Sequence, residues 1–264
     1  MPSASRPPLS RCVRSLLLRA DCDDEPESDF NSAESLFFAL VDALFRPHLR
    51  ILYLFAYTSD SSLPQSSSAS FPFLSSDSLD PPLPHLVDLH LSSLFAMQHA
   101  AKRSFASLRS LRTQTVPPDL PNILARVFPN LADLTIDALV SGPASINLVH
   151  YLGVYCSPED HQPSKLRSVT VHLIQGHSTV PVAYINGKWR DIMLEDVMWY
   201  RSDLERVRVA WDCDSEDDDG AFKIEVEGRA LTVYPPIPLA EEKKTMEWEA
   251  NKRLWVDAID RCEL

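Results

Sequence analysis

A six-residue pattern recurs along this chain and constrains its fold more than any other feature. The pattern, here called the kernel, has apolar residues at its first, fourth and sixth positions, as in Leu131-Ala-Asp-Leu-Thr-Ile136. In an extended backbone the fourth and sixth residues point to the same face, so each kernel predicts a short strand with one apolar face. Seven copies begin at Val13, Leu49, Leu86, Leu108, Leu131, Leu166 and Leu204, and the copy at Leu108 has Thr113 at its sixth position.

The intervals between kernels predict a parallel arrangement of these strands. Successive copies begin 36, 37, 22, 23, 35 and 38 residues apart, so two intervals have the length of leucine-rich repeats and four carry insertions. Most intervals contain apolar residues at helical spacing, in segments 32–45, 95–105, 121–128, 143–155 and 189–200. Strands that alternate with helices across long connections form parallel sheets. We therefore predict an irregular leucine-rich-repeat α/β solenoid over residues 1–212, with parallel strands on the concave side and helices on the convex side.

Other segments of the solenoid are predicted as loops or extra strands. Residues 58–80 contain ten serines with little helical periodicity, and they predict a flexible surface loop. The acidic runs at residues 21–29 and 212–219 also predict loops, and residues 180–185 predict a further strand. The first kernel stands at one end of the series, so we expect its strand to have an unpaired edge.

Residues 213–264 follow a different pattern, which predicts an acidic loop, a β-hairpin and a capping helix. Two alternating segments, 222–227 and 230–234, flank a turn at Gly228, and Pro235-Pro236 is predicted to end the hairpin. Residues 239–262 predict a long helix with apolar positions at Met246, Trp248, Leu254, Trp255, Ala258 and Ile259. We expect the hairpin and helix to close the open C-terminal end of the solenoid.

Composition restricts the classes of partner and the compartment. A formal net charge of −12 disfavours nucleic acid and anionic membranes as main partners, because both require a basic surface. The five cysteines are scattered and lack C-x-x-C spacing, which is typical of reduced thiols in the cytoplasm or nucleus. No apolar run approaches the roughly 18 residues that a membrane span requires. We expect a chain without a cofactor that is a monomer outside a complex.

Residues that could carry chemistry are sparse. The sequence has no nucleophile elbow, P-loop, dinucleotide-binding loop, zinc-protease motif or kinase signature, so we do not expect an enzyme. His172 and His177 lie five residues apart without a nearby cysteine or carboxylate at ligand spacing, which favours a loop or surface role over a metal site. The carboxylates of residues 212–219 indicate either a solvated acidic loop or a calcium site, although the spacing departs from that of an EF-hand.

The kernels and the phrases that precede them, such as Phe128-Pro-Asn-Leu131 and Pro84-His-Leu86, make residues 9–212 similar to a known family. The chain resembles the irregular leucine-rich regions of fungal F-box proteins. That resemblance implies protein recognition, as the substrate-reading part of a ubiquitin-ligase adaptor. The F-box itself has no place ahead of the first kernel, and the Asn or Cys of the longer ribonuclease-inhibitor-type motif is absent after most kernels. The alternative is a scaffolding repeat protein without a ubiquitin-ligase link, and an enzyme ranks third.

The residues that alternate with the kernel leucines are the candidates for binding. They are expected to project from the concave face, which binds other proteins in repeat folds. The candidate residues are Tyr53, Phe55, Asp88, His90, Arg112, Gln114, Asp133, Thr135, Asp137, Thr170, His172, Arg206 and Arg208. Tyr53, Arg112 and Arg206 are the expected anchors, because Tyr and Arg are frequent hot-spot residues. Alternatively, the aromatic residues around Tyr53 are covered by the serine-rich loop.

Overall fold

The structure, a computed structural model, describes residues 14–22, 48–58, 69–70, 83–91, 95–96, 104–114, 116–139, 148, 151–152, 155, 163–175, 222–226, 228–238 and 243–263. Its strands are β1 (Ser15–Cys22), β2 (Ile51–Thr58), β3 (Ala69–Ser70), β4 (Asp88–Leu91), β5 (Phe95–Ala96), β6 (Ser110–Thr113), β7 (Asp133–Leu139), β8 (Ser168–Gln175), β9 (Phe222–Val226) and β10 (Arg229–Pro238). Its helices include α1 (Leu120–Val127) and α2 (Lys243–Glu263).

Eight of these strands form one sheet in the order β1-β2-β4-β6-β7-β8-β10-β9. From β1 to β10 the neighbours are all parallel, and β9 adds an antiparallel edge beside β10. The prediction of an α/β fold with parallel strands is therefore confirmed. Strand β1 lies at the other edge of the sheet, where the sequence predicts an unpaired edge. Strands β3 and β5 form a separate two-stranded parallel pair.

The kernels align with one another across the sheet. Fourth-position residues face each other in register in the series Leu16, Leu52, Leu89, Leu111, Leu134 and Val169. The seventh kernel, at Leu204, lies outside the described residues. Strand β10 occupies the edge of β8 where that kernel is expected, because Leu231 pairs with Val169. Six kernels thus form six neighbouring strands, and the seventh parallel strand comes from the predicted hairpin.

The backbone hydrogen bonds repeat with the kernel. The carbonyl at the second kernel position accepts the amides of the second and third positions of the next strand, as Arg50 does from Val87 and Asp88. The same pair of bonds joins Arg14 to β2, Val87 to β6, Arg109 to β7 and Ala132 to β8. Each strand therefore starts at the same height as its neighbour.

Kernel side chains form the core of the sheet. From β2 to β8, every first-, fourth- and sixth-position residue of the kernels is buried, and most are fully inaccessible; Leu231 and Val233 of β10 are buried as well. Leu16, on the edge strand β1, is only half-buried. Burying one such leucine contributes roughly 1.5–3 kcal/mol, so the alternation itself explains why these segments form strands.

The helix predictions between kernels have mixed outcomes. Helix α1 confirms the prediction over residues 121–128, and it buries Leu120, Ile123, Leu124 and Val127 at helical spacing. Leu148, Tyr151, Leu152 and Tyr155 are helical and buried, which agrees with the helix predicted over residues 143–155. Leu148 and Leu152 are four residues apart, as are Tyr151 and Tyr155, so the buried residues form a helical stripe.

Two local predictions are wrong. The helix predicted over residues 95–105 is replaced at its start by β5, and residues 69–70 of the predicted serine-rich loop form β3, its partner. Pairing between β3 and β5 satisfies backbone hydrogen-bonding groups of both segments. The spacing of apolar residues within one segment does not predict such pairing. The segments predicted at residues 32–45, 180–185, 189–200 and 212–219 lie outside the described residues.

The C-terminal hairpin is confirmed, and it extends farther than predicted. Strands β9 and β10 pair antiparallel around Gly228, whose positive φ of 77° suits glycine at a turn. Strand β10 continues past the two prolines to Pro238, with a register shift between Tyr234 and Ile237. Proline has no amide hydrogen to donate, so the two prolines occupy the irregular point of the ladder.

Helix α2 exists as predicted but lies at the opposite end of the sheet. It contacts β1 and β2 rather than closing the C-terminal end. Its apolar residues match an apolar patch on β1 and β2, whereas equivalent positions near β8 and β10 carry Thr170 and Thr232. Hydrophobic matching therefore decides its position. No helix in the described ranges is long and apolar enough to span a membrane.

Candidate recognition surface

The structure assembles the predicted binding residues on one face of the sheet. We call this the alternate face, formed by the third, fifth and seventh kernel positions. Its central row, in register on neighbouring strands, consists of Tyr53, His90, Arg112, Thr135, Thr170 and Thr232. Ten of the thirteen candidates belong to β2, β4, β6, β7 and β8, and Gln114 directly follows β6. Arg206 and Arg208 lie outside the described residues.

Helix α2 covers the part of the alternate face on β1, β2 and β4. Ala258 is fully buried in a cluster with Ile51, Tyr53 and Phe55, and it is flanked by Leu17, Leu254, Trp255 and Ile259. Tyr53 and Phe55 are therefore buried, although the sequence predicts both to be exposed binding residues and Tyr53 to be an anchor. The alternative prediction, that the aromatic residues are covered, is correct in outcome, but in the described part of the chain α2 covers them.

His90 is an unusual residue within this covered half. Only 1% of its surface is exposed, and its ring contacts Tyr53 and Phe55 edge-on at centroid distances of 5.1 and 4.6 Å. Neither ring nitrogen has a hydrogen-bond partner among the described residues. Burial, aided by the nearby charge of Arg112, holds the pKa of His90 well below its ordinary value. The ring is therefore a neutral, apolar-like part of the core.

Asp88 provides the polar contact between the sheet and α2. One of its carboxylate oxygens lies 3.5 Å from a guanidinium nitrogen of Arg261. Burial raises the pKa of Asp88, and the charge of Arg261 together with hydrogen bonds from Tyr53 and Ser110 opposes that rise. Burial likewise raises the pKa of the Tyr53 hydroxyl, with the Asp88 charge acting in the same direction. Burial raises the pKa of Asp88 more than the charge of Arg261 lowers it, because the Arg261 side chain is largely exposed and its guanidinium lies 3.5 Å away.

Beyond α2, the alternate face is polar and internally paired. Arg112 donates two hydrogen bonds to Asp137, of 2.6 and 3.0 Å, and only 5% of the Asp137 side chain is exposed. His172 stacks on Tyr234 with ring centroids 4.7 Å apart and an interplanar angle of 10°. Burial lowers the pKa of His172 against the opposing attraction of Asp137. We call the half-buried residues Arg112, Thr135, Thr170, His172 and Tyr234 the polar half.

Asp133 closes the lower edge of the polar half. It accepts a 2.7 Å hydrogen bond from the Ser168 hydroxyl, and Arg167 approaches it at 3.4 Å. Both charged side chains are substantially exposed, so this ion pair adds little stability. No group of three or more His, Cys, Asp or Glu side chains in the described ranges is arranged to hold a metal ion. The surface offers hydroxyls, a paired guanidinium and a stacked ring pair, which suit hydrogen bonding and packing.

The sequence prediction missed two contributors to this surface. Tyr234 was assigned to a hairpin apart from the kernels, yet the alternation of Ala230, Thr232 and Tyr234 matches that of the kernel strands. The docking of α2 on this face was also missed, because the helix was expected to close the C-terminal end of the solenoid. Leu254 and Ala258, and Trp255 and Ile259, are each spaced by four, and this stripe predicts a packed helix face without indicating which strands it contacts.

Comparison of the chain with family models, with curated proteins and with solved structures finds no match. The class of protein is accordingly defined by its own geometry. In its described ranges it is an α/β protein whose main sheet has seven parallel strands and one antiparallel edge strand, and whose alternate face is divided between an intramolecular helix and the polar half.

Proposed function

We propose that this chain is a protein-recognition module of the leucine-rich-repeat type, which binds a partner polypeptide on its alternate face. The observation that carries this proposal is the docking of α2. A helix from a distant part of the chain is bound by Leu17, Ile51, Tyr53 and Phe55, so this face accommodates a helical segment in the manner of a groove.

The polar half continues the same face without a break in register. Strands β4, β6, β7 and β8 remain paired at the fifth kernel position from His90 to Thr170. A partner seated beside α2 would meet threonine hydroxyls in the middle and the His172–Tyr234 ring pair at the side. Such a surface fits a non-obligate interface, in which polar groups and bridging water are common.

The more specific form of the proposal is the substrate-reading part of a ubiquitin-ligase adaptor. Its support is the resemblance of the kernels to fungal F-box proteins and the regular repetition of backbone hydrogen bonds at the second kernel position. A scaffolding repeat protein is the second candidate. It is favoured by α2 itself, because the most apolar part of the face is already occupied by the chain's own helix.

Crosslinking from the polar half tests both candidates. A photoreactive group placed at Tyr234, at the side of the polar half, would capture partners in cells, and the same group is placed in the double variant Thr135→Arg/Thr170→Arg, which alters the middle of the face. Asn122→Arg, an exposed change on α1, is the matched control. We expect partners that bind wild type and the control but not the double variant.

The identity of the captured proteins separates the candidates. Recovery of a cullin or its adaptor subunit together with other partners supports the ligase role, and face-dependent partners without them support the scaffold. Capture that is equal for wild type and the double variant, with both folded by circular dichroism, would show that the alternate face is not the recognition surface.

A further inference from the structure

Helix α2 docks on an apolar surface of β1 and β2 that we call the helix seat. Its residues are Leu17, Ile51, Tyr53 and Phe55. The fully buried residue that α2 contributes there is an alanine, Ala258, whereas Leu254, Trp255 and Ile259 are only half-buried. Hydrophobic stabilisation follows the apolar area removed from water, so the small area that α2 buries limits the strength of its attachment to the sheet.

The covered surface also contains polar atoms without partners. Both ring nitrogens of His90 and the indole nitrogen of Trp255 are buried, and no described residue forms a hydrogen bond with them. The His90 ring contacts two residues of the seat, Tyr53 and Phe55. A buried polar group without a partner costs free energy. A different helix that brings a hydroxyl, an amide or a carboxylate to His90 would remove a cost that remains when α2 is docked.

The charge beside the seat favours a helix with a basic residue at one position. The Asp88 side chain is 7% exposed, and the cation that approaches it from α2, Arg261, lies 3.5 Å away with 64% of its side chain exposed. That contact is long for a charge-assisted hydrogen bond, which is normally about 2.7–2.9 Å. A basic residue held closer to Asp88 would therefore interact more strongly than Arg261 does.

Helix α2 can leave the seat without loss of strand pairing. Its docking residues lie in its second half, between Leu254 and Arg261, whereas its first half is joined to β10 by residues 239–242. Strands β8, β7, β6 and β4 lie between β10 and β2, so the attachment point and the seat are five strand spacings, or about 24 Å, apart. Release of α2 is thus a local opening that leaves the sheet intact.

We propose that α2 is a detachable helix, and that an amphipathic helix of a partner protein, with a basic residue facing Asp88, replaces it on the helix seat. This inference rests on the proposed function, because it describes how the same face is regulated. The docked α2 keeps the seat closed, and the partner helix competes with it. The partner helix carries apolar residues at the spacing of the docking residues of α2.

Binding of a helical peptide to the whole chain tests the proposal. The probe is a fluorescent peptide with the sequence of residues 243–263, and its binding is followed by fluorescence anisotropy. Ala258→Asp in the whole chain should release α2, so this variant should bind the peptide at least about tenfold more tightly than wild type, in which the tethered helix competes at high effective concentration. Val256→Asp adds the same charge at an exposed position of α2 and is the matched control, expected to bind within about twofold of wild type.

Two further variants complete the test. A peptide that carries Arg261→Glu should bind the Ala258→Asp chain at least about fivefold more weakly, because it places a second carboxylate near Asp88. Should Ala258→Asp fail to fold by circular dichroism, Trp255→Ala is the second release variant, since it removes the largest side chain that α2 packs against the seat. The same order of affinities is expected for it.

The outcomes are distinct. Equal affinity of wild type and the release variants, the absence of saturable binding to them, or equal affinity of the Arg261→Glu peptide would overturn the proposal. A wild-type dimer that increases with concentration, persists in Val256→Asp and is lost in Ala258→Asp would overturn it by identifying a second copy as the occupant. The measurement uses no cellular partner, so its failure is distinguishable from a failure of the crosslinking experiment on the polar half.

Discussion

Replacing His90 by leucine tests the account of the covered half of the sheet most directly. The histidine ring is enclosed by Tyr53 and Phe55, is 1% exposed, and has no hydrogen-bond partner at either nitrogen among the described residues. Leucine has a similar volume and no polar atoms. The substitution therefore removes a desolvated polar group while largely retaining the packing.

The expected magnitude depends on pH. At pH 7.5, relief of the unpaired nitrogens is worth about 1–3 kcal/mol, and loss of the edge-on ring contacts costs about 0.5–1.5 kcal/mol, so the net change is small. The pKa of His90 is lowered well below normal in the folded protein. Below the unfolded value of about 6.5, the unfolded chain binds a proton that the folded protein does not. Stability then falls as pH decreases, by at most about 1.4 kcal/mol for each pH unit below that value.

Urea unfolding at pH 7.5, 6.5 and 5.0, followed by circular dichroism at constant ionic strength, measures this difference. His90→Leu should not show this loss, so its free energy of unfolding should rise relative to that of wild type between pH 7.5 and 5.0, by up to about 2 kcal/mol. His172, whose pKa is also lowered by burial, is present in both proteins and cancels. His85→Leu, at an exposed position, is the control and should follow wild type.

If the free energy of unfolding falls equally with pH in wild type and in His90→Leu, the reasoning is refuted. It would mean that His90 is protonated in the folded protein or is accessible to water. A loss of several kcal/mol at pH 7.5 would instead show that the two nitrogens make contacts essential to the core.

Three further predictions concern the carboxylate, the kernel and the docked helix. Burial raises the pKa of Asp88, so its ionised form costs stability at neutral pH and the cost is relieved as pH falls through the folded value. Asp88→Asn should therefore have a larger free energy of unfolding than wild type at pH 7, and urea titrations should show this difference disappearing toward pH 4. A difference that is the same at both pH values contradicts this prediction. Leu134→Ala should cost roughly 2–5 kcal/mol in the free energy of unfolding because Leu134 is buried at the fourth kernel position, whereas Thr135→Ala, on the alternate face, should cost far less. Ala258→Asp places a charge in a fully buried site and should release α2, seen as faster hydrogen exchange over its residues; Val256→Asp, on the exposed side of the same helix, should not.

The strands and their register could be predicted from the sequence because the determining signal is local. A kernel such as Leu131 to Ile136 encodes which side chains face inward, and a shift by one residue would expose all of them. For the same reason, the membership of Arg112, Thr135 and Thr170 in one face follows directly from the alternation.

The position of α2 could not be obtained in this way. Its docking depends on the match between Trp255 and Ala258 and a patch built by Tyr53 and Phe55, about 200 residues earlier. No local pattern in the sequence predicts which distant apolar surfaces will pack against each other. The same limit explains why the pairing of β10 with β8 was not predicted, since it depends on the neighbouring strand rather than on the turn of the hairpin.

The contact between α2 and the first strands also has a consequence for synthesis. About 220 residues separate the end of β1 from the start of α2. At translation rates of about 5–20 residues per second, roughly 10–45 s pass between the emergence of these two elements. Strands β2 to β8 can pair one after another during that time, while Tyr53 and Phe55 lack the helix that later covers them. This nascent surface is thus a natural place for chaperones to act.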